Sequence, residues 1–247
     1  MTTKTWIIFA VICVGIVGGL IYLSSGNKID VSSVDASAVQ AASDKNGQIG
    51  DHTYGNPESK VVLIEYGDFQ CPGCATAQPA IKEVTEKYKD KMLFVFRNFP
   101  LYSIHPNALA ASTTAEAAAA QGKYWEMHDL LYQNQSDWNQ LGSTDRTEYF
   151  LTQAESLGLN RDKIRAGFED KNIKQKIDFD VALGKKVGIS GTPSFFINGK
   201  NVSDLRYSGD KIDTSGNSSS PFVWSSAASF EKFVVLPALK EAGVATE

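Results

Sequence analysis

The stretch EYGDFQCPGCATAQ, residues 65–78, decides the fold prediction. It places Cys71 and Cys74 two residues apart, after the apolar run KVVLIEYGDF (residues 60–69), whose β-branched and aromatic residues are typical of a buried strand. A helical pattern follows the cysteines, and a second strand pattern, KMLFVFRNFP, occupies residues 91–100. A strand, a helix and a strand in this order predict a βαβ unit with parallel strand pairing.

Length, charge and cysteine count limit the classes of protein. The chain has 247 residues, of which 43% are hydrophobic and 21% charged, so a packed core can form. Its formal charge is −4 and no basic block stands out, so nucleic acid is not an expected partner. Because Cys13 lies in the first hydrophobic run, Cys71 and Cys74 are the one pair outside it. A two-residue spacer closes little chain entropy, so stabilisation is a weak reason for a bond between them.

The first hydrophobic run is WIIFAVICVGIVGGLIYL, residues 6–23, which carries no charge over about the length of a membrane span. Trp6 and Tyr22 near its ends suit the headgroup layers of a lipid bilayer. We therefore expect a single-pass anchor, or uncleaved signal, over residues 1–23, with the folded domain at the cell membrane and outside the cytoplasm. A secretory signal cleaved near ASA, residues 36–38, is the alternative.

The rest of the chain predicts a tether and one domain. Residues 24–48 are rich in Ser, Ala, Asp and Asn, which predicts a flexible tether. Residues 49–247 predict an α/β domain whose helical patterns over about residues 105–187 precede the strand pattern SFFING, residues 194–199. The last helical pattern, SSAASFEKFVVLPALKEAG, is expected to kink or break before Pro237.

The cysteine pair could bind a metal or cycle between dithiol and disulfide. A structural zinc site needs four ligands, usually two cysteine pairs or a pair with two suitably spaced histidines. The chain has no second cysteine pair, and its histidines, His52, His105 and His128, lack the spacing of zinc ligands. We therefore expect no metal at this pair.

The redox alternative agrees with the predicted local structure. A helix N-terminus supplies partial positive charge and free backbone N–H groups, both of which favour a thiolate near neutral pH. The predicted strand-to-helix junction places Cys71 at that position, and Pro72 suits a first turn in which no N–H is needed. Cys74 follows one turn later, close enough to attack a mixed disulfide held on Cys71.

Three motifs in this order resemble a known family. VVLIEYGDFQCPGC resembles the active-site strand and helix start of the thioredoxin superfamily, and GISGTPSFFING, residues 188–199, resembles its loop with a cis-proline before a strand. Between them, NFPL, HPNALAA and AEAAAAQGKYWEMHDLLYQNQ are similar to the DsbA-like thiol–disulfide oxidoreductases of bacteria. The resemblance covers about residues 48–243 and implies a thioredoxin fold with an inserted helical subdomain.

The resemblance implies roles for the cysteine motif. Cys71 matches the nucleophilic cysteine and Cys74 the resolving cysteine, with Pro72 and Gly73 as the active-site dipeptide. Strongly oxidising DsbA enzymes carry a histidine after the proline, whereas this chain carries Gly73. A less stabilised thiolate makes a disulfide less oxidising, so this departure bears on the direction of the reaction.

Further positions also follow from the resemblance. Pro193 matches the cis-proline that faces the dithiol, with Thr192 before it, and the backbone there would pair with an extended substrate segment. Glu65 matches a buried acid that could take and return the proton of Cys74. The strand pattern equally allows Glu65 to face solvent beside a lysine. Asp68 is expected to be a solvated or capping residue.

Together these observations predict a protein thiol–disulfide oxidoreductase that forms disulfides in exported proteins with cysteine thiols. The redox-active Cys71–Cys74 disulfide would serve without a further cofactor, and a membrane redox partner would reoxidise it. One alternative is a disulfide reductase or isomerase of the same fold, since Thr192 also occurs before the proline in isomerase-type relatives. Another is a non-catalytic substrate-binding or chaperone module that uses the same groove.

Overall fold

The computed structural model describes residues 6, 12, 13, 15 and 29–245 of the chain. The chain divides into two compact units, residues 1–30 and residues 31–247. In the first unit the four isolated described positions are helical, and the remainder of the predicted anchor lies outside the described residues. Among the residues that are described, no helix has the length and apolar character needed to cross a membrane.

A five-stranded sheet is the centre of the second unit, with the strand order β1–β3–β2–β4–β5. The strands are β1 (His52–Gly55), β2 (Val62–Gly67), β3 (Leu93–Asn98), β4 (Ser194–Ile197) and β5 (Lys200–Asn201). Strands β2 and β3 are parallel, and the other pairs are antiparallel. The predicted βαβ unit is therefore confirmed, and β3 is buried along its whole length, as expected for a central strand covered on both faces.

Helix α1, Pro72–Lys87, joins β2 to β3. Ile81 and Val84 form one buried face together with Tyr88, the residue that ends the helix, as their spacing predicts. Lys87 lies in the last turn of α1, where a positive charge suits the helix C-terminus.

The predicted helical insertion is confirmed between β3 and β4. It contains α2 (Ala108–Ala119), α3 (Tyr124–Gln133), α4 (Gln135–Trp138), α5 (Ser143–Ser156), α6 (Arg161–Gly167) and α7 (Lys171–Lys186). Helix α6 approaches α2 closely, because a Cβ atom on Gly167 would lie only 2.6 Å from the Cβ atom of Ala117. Small side chains at this contact therefore let the insertion pack tightly.

The C-terminal part contains a short hairpin and an interrupted helix. The hairpin pairs β6 (Tyr207–Ser208) with β7 (Lys211–Ile212). Helix α8, Ala227–Phe230, continues into a π-helical turn at Glu231–Val235 and then into α9, Leu236–Glu241. The widened turn comes directly before the segment that contains Pro237, which agrees with the predicted break because proline cannot supply the backbone N–H of a regular helix.

The flexible tether expected over residues 24–48 is wrong for residues 31–48, because they lie against the domain, and residues 24–28 lie outside the described residues. Nη1 of the buried Arg97 donates to the carbonyl oxygen of Ala36 at 2.6 Å. Nζ of Lys186 donates to the carbonyl oxygen of Val31 at 3.0 Å. Composition does not predict this docking, because the acceptors are backbone carbonyls and their donors lie far away in the sequence.

Candidate active site

Cys71 lies at the junction between strand β2 and helix α1. It is the N-cap residue of α1, with extended backbone angles, and its carbonyl oxygen accepts a hydrogen bond from the N–H of Ala75 at 3.1 Å. Pro72 occupies the first turn of the helix, as predicted. Both Cys71 and Cys74 are free thiols in this structure. The sulfur of Cys71 is therefore held at the helix N-terminus, where a negative charge is stabilised.

The Cys71 thiol ionises readily. Hydrogen bonding from the Cys74 side chain lowers the pKa of Cys71 to about 6, with further help from Thr192 and from the backbone amides of Cys74 and Gly73, while burial acts in the opposite direction. The Thr192 hydroxyl makes no hydrogen bond of ordinary geometry to any described residue. We therefore attribute most of the lowered pKa to the Cys74 thiol and the backbone amides. At neutral pH Cys71 is mainly a thiolate.

Cys74 has the opposite character. It is fully buried, whereas Cys71 keeps 7% of its surface exposed. Burial raises the pKa of Cys74 well above its usual range, and the neighbouring Cys71 and Glu65 raise it further. The two thiols are thus unequal, with an ionised Cys71 that is slightly exposed and a protonated Cys74 that is fully buried.

Glu65 lies on β2 inside the sheet, opposite Phe96 on β3 and Phe195 on β4. Only 3% of its surface is exposed, so the alternative in which it faces solvent is wrong. Burial raises the pKa of Glu65 to about 8, and the charge on Cys71 contributes to this shift. A carboxyl group with such a pKa can exchange a proton near neutral pH.

The loop before β4 forms the other side of the site. The peptide bond between Thr192 and Pro193 is cis, which is the form that the resemblance implies. The carbonyl oxygen of Thr192 lies 3.3 Å from the sulfur of Cys71 and accepts a hydrogen bond from the thiol when Cys71 is protonated. A Cβ atom on Gly73 would lie 3.3 Å from Cδ of Pro193, so the active-site dipeptide and this loop are in close contact.

A groove continues from this contact and has an aromatic wall that the sequence analysis missed. Phe222 and Trp224 line it together with Gly73 and Pro193. The two aromatic rings are stacked, with centroids 4.6 Å apart, and the guanidinium of Arg206 lies 3.7 Å from the centroid of Phe222. The only sequence signal for this wall is the motif FVW after a polar loop.

Asp68 and Gln70 organise the loop that leads to Cys71. Asp68 is fully buried, so of its two expected roles, solvated or capping, the solvated one is wrong. Its carboxylate accepts hydrogen bonds from the backbone N–H of Gln70 and Leu101, both at 2.8 Å, and lies 2.6 Å from Nδ1 of His105. His105 thereby has a structural role, and Asp68 fixes the backbone ahead of the nucleophile.

Over residues 29–245 and the four isolated described positions, no group of three or more His, Cys, Asp or Glu side chains is arranged to hold a metal ion. The cysteine pair and Glu65 supply a redox couple and a proton-exchanging group.

A family model described as Thioredoxin matches residues 47–210, which is more than half of the chain. The chain therefore belongs to the thioredoxin family. Among curated proteins, it is 41% identical over 150 residues to the Na(+)/H(+) antiporter NhaA 3 of Salinispora tropica. That match covers 61% of this chain and 22% of the antiporter, so the chain spans less than a quarter of the length of this relative.

Comparison with solved structures narrows the class of protein within the thioredoxin superfamily. Alpha-DsbA1 of Wolbachia pipientis superimposes with a TM-score of 0.60 and 26% identity, covering 78% of this chain and 92% of that one. BdbD of Bacillus subtilis shares the fold, with a TM-score of 0.58 and 17% identity over 83% of this chain and 98% of that one. The chain is thus a DsbA-like member of the superfamily, and its structural neighbours support the predicted enzyme class, a protein thiol–disulfide oxidoreductase.

Proposed function

We propose that this protein introduces disulfides into exported proteins that carry cysteine thiols. The observation that carries the proposal is the unequal pair of thiols, in which the pKa of Cys71 is lowered to about 6 and that of Cys74 is raised well above its usual range. Stabilising the thiolate of Cys71 stabilises the reduced enzyme, which makes the enzyme disulfide a better oxidant.

The proposed reaction starts from the Cys71–Cys74 disulfide. A substrate thiolate attacks the sulfur of Cys71, the enzyme disulfide breaks, and its electron pair leaves on Cys74, which takes a proton from Glu65. A second substrate thiolate then attacks the substrate sulfur of the mixed disulfide, and Cys71 leaves as a thiolate. The substrate gains a disulfide, and the enzyme holds the two electrons as a dithiol.

The reduced enzyme would return to its disulfide by passing two electrons to a membrane redox partner. We also propose that residues 6–23 anchor the protein in the lipid bilayer, so that the folded domain works outside the cytoplasm at the cell membrane. The uncharged length of this run and its terminal aromatic residues support the anchor. Because the two sulfurs are themselves the redox group, the reaction requires no organic cofactor.

A disulfide reductase or isomerase is the second candidate. Gly73 stands where strongly oxidising relatives of this type carry a histidine, and Thr192 precedes the cis-proline as in isomerase-type relatives. Both features support a weaker oxidant than the thiol pKa values alone would imply. A non-catalytic binding or chaperone module remains the third candidate, since the groove beside Pro193 would serve it equally.

The reduction potential of the full chain, equilibrated with glutathione in detergent, separates the first two candidates. A potential well above about −200 mV supports the oxidase, and a potential near about −270 mV supports the reductase. The variant Cys71→Ser separates catalysis from binding, because it removes thiol–disulfide exchange but would leave a pure binding activity intact. Cys13→Ser is the matched control, since it also removes one thiol but lies outside the site and should retain exchange.

A further inference from the structure

The buried acid Glu65 lines a cavity of about 50 Å³ that reaches the protein surface. Its other walls include Gln78 and Lys82 of α1 and His128 and Asp129 of α3. A water molecule needs about 10–15 Å³ of such space and several polar partners, so this cavity has room for water. Glu65 and His128 are buried, whereas Lys82 and Asp129 have side chains that are 46% and 23% exposed. The cavity thus connects a buried carboxyl group with a solvated ion pair.

His128 is the second buried titratable group in this cavity, and the reaction described above does not use it. Its Nδ1 lies 3.1 Å from a carboxylate oxygen of Asp129. Because a carboxylate only accepts hydrogen bonds, Nδ1 carries the proton, and Nε2 is left with a lone pair. Nε2 is buried and has no hydrogen-bond partner within the part of the chain that the structure describes. A buried polar atom without a partner is unfavourable, and water in the cavity would supply that partner.

The imidazole ring is held in place by aromatic side chains. Phe96 packs against it edge to face at a centroid distance of 4.7 Å, and Trp125 and Tyr132 pack similarly at 5.2 and 5.1 Å. Burial lowers the pKa of His128, and the hydrogen bond to Asp129 only partly opposes this. The ring is therefore neutral and fixed in orientation. Its protonated Nδ1 faces Asp129, so the basic nitrogen is Nε2, on the other side of the ring.

The other charged groups around His128 are already engaged. From α1, Lys82 pairs with Asp129, and Glu86 accepts a hydrogen bond from the Tyr54 hydroxyl of β1, which raises the pKa of Tyr54 to about 12. Also from β1, His52 lies 2.8 Å from the carboxylate of Glu116 on α2. The phenols of α3, Tyr124 and Tyr132, have pKa values raised well above the usual range by burial and stay neutral. Glu65 on β2 is then the exchangeable acid that shares the cavity with His128.

We propose that His128 exchanges protons with Glu65 through water in this cavity, and that it thereby sets the rate at which Cys74 can lose its proton. The inference rests on the proposed function. When Cys74 attacks a mixed disulfide on Cys71, its proton passes to the carboxylate of Glu65, its electron pair forms the S–S bond, and the substrate sulfur leaves as a thiolate. Beforehand, a protonated Glu65 must release its own proton, which passes through water to Nε2 of His128, while Nδ1 releases one toward Asp129 and solvent. His128 acts through Glu65 and does not touch the reacting sulfurs.

The test separates the two sulfur steps in the reduced full chain carrying Cys13→Ser, which removes the third thiol and leaves those of Cys71 and Cys74. A symmetric aromatic disulfide reacts first with Cys71, which releases one coloured thiolate, and then with Cys74, which releases the second. We expect His128→Gln to leave the first release unchanged and to slow the second roughly tenfold near neutral pH, a modest share of what acid–base catalysis contributes. The deficit should disappear above the Glu65 pKa of about 8, where the carboxyl group is already ionised.

The variant Glu65→Gln decides whether His128 acts through Glu65. In that background, adding His128→Gln should cause no further slowing, because the acceptor that His128 serves is absent. His52→Gln is the matched control, since it removes a histidine bound to a carboxylate outside the cavity and should leave the second release unchanged. If His128→Gln folds poorly, Asp129→Asn on the partly exposed rim should produce a smaller deficit with the same pH dependence.

Three results would overturn the proposal: a second release unaffected by His128→Gln, a deficit that is equal at all pH values, or a deficit that persists in the Glu65→Gln background. Failure of the proposed function is detected separately, as a wild-type reduction potential as low as that of a reductase, and it would leave the effect of His128→Gln on the second release unchanged.

Discussion

Nε2 of Gln135 donates a hydrogen bond to the carbonyl oxygen of Cys71 at 3.0 Å and a second one to the carbonyl oxygen of Phe69 at 2.7 Å. Gln135 begins a short helix of the insertion, whereas both acceptors lie in the loop between β2 and α1. The inserted subdomain therefore fixes the backbone that carries the nucleophile, and it contributes to the site as well as to the core.

Replacing Gln135 tests this contribution. Gln135→Ala leaves the carbonyl oxygen of Phe69 without its donor, while that of Cys71 keeps the N–H of Ala75. A buried unsatisfied group costs about 1–3 kcal/mol, so we expect a loss of stability in this range. We also expect slower reaction of Cys71, because its loop becomes less ordered. Urea denaturation and alkylation rates measure the two effects. Gln133→Ala, at an exposed position of the preceding helix, should change neither one.

The second prediction concerns the hydrogen bond that stabilises the Cys71 thiolate. Because the Cys74 side chain is the largest cause of the lowered pKa, Cys74→Ala should raise the pKa of Cys71 above about 6. Cys74→Ser keeps a donor at the same place and should raise it less. The ultraviolet absorbance of the thiolate, followed as a function of pH, measures both. Equal pKa values in the two variants would show that the backbone amides alone stabilise the thiolate.

Gly73 offers a third test, because it stands beside both the thiolate and Pro193. Gly73→His adds a donor at the helix N-terminus, so the pKa of Cys71 should fall and the reduction potential should rise by roughly 30 mV for each pKa unit. Gly73→Ala is the control, since its Cβ would meet Pro193 at the same 3.3 Å but adds no donor. A potential that rises equally in both variants would indicate a packing effect.

The fourth prediction is a pH dependence of folding that comes from Glu65. Its folded pKa of about 8 lies above the usual value of 4.5, so the folded protein binds more protons than the unfolded protein between these values. The free energy of unfolding should therefore decrease as the pH rises from about 4.5 to about 8. Glu65→Gln removes this contribution, so the variant should gain stability relative to the wild type as the pH rises. Urea denaturation of the reduced protein across this window measures the difference.

The last prediction concerns the buried charges that hold residues 31–48. Asp51 accepts hydrogen bonds from Nη2 of Arg97 at 2.7 Å and from Nζ of Lys176 at 3.1 Å, and all three side chains are fully buried. Asp51→Asn leaves two cations without their shared partner, and breaking a buried pair typically costs about 3–5 kcal/mol. The midpoint of urea denaturation should fall accordingly. Asp90→Asn, at an exposed position, should leave it unchanged.

The site was largely predictable from sequence because its signals are local. Strand periodicity, the Cys-Pro-Gly-Cys spacing and the glycine–threonine–proline motif lie within short segments, and they located Cys71, Cys74 and Pro193. The placements of Gln135 and Arg97 could not be predicted in this way. Each side chain donates to a backbone carbonyl more than 50 residues away in the sequence. Any donor of suitable length could make such a bond, so no sequence motif predicts it.

The docking of residues 31–48 moves the boundary of the folding unit. Composition suggests that the folded domain begins after residue 48. Removing residues 31–48 would, however, remove the carbonyl groups that accept hydrogen bonds from the buried guanidinium of Arg97. It would also expose the buried charges of Asp51, Arg97 and Lys176. A polypeptide that starts at Val31 keeps this cluster covered. Residues 31–48 are thus an integral part of the same folded unit that carries the dithiol.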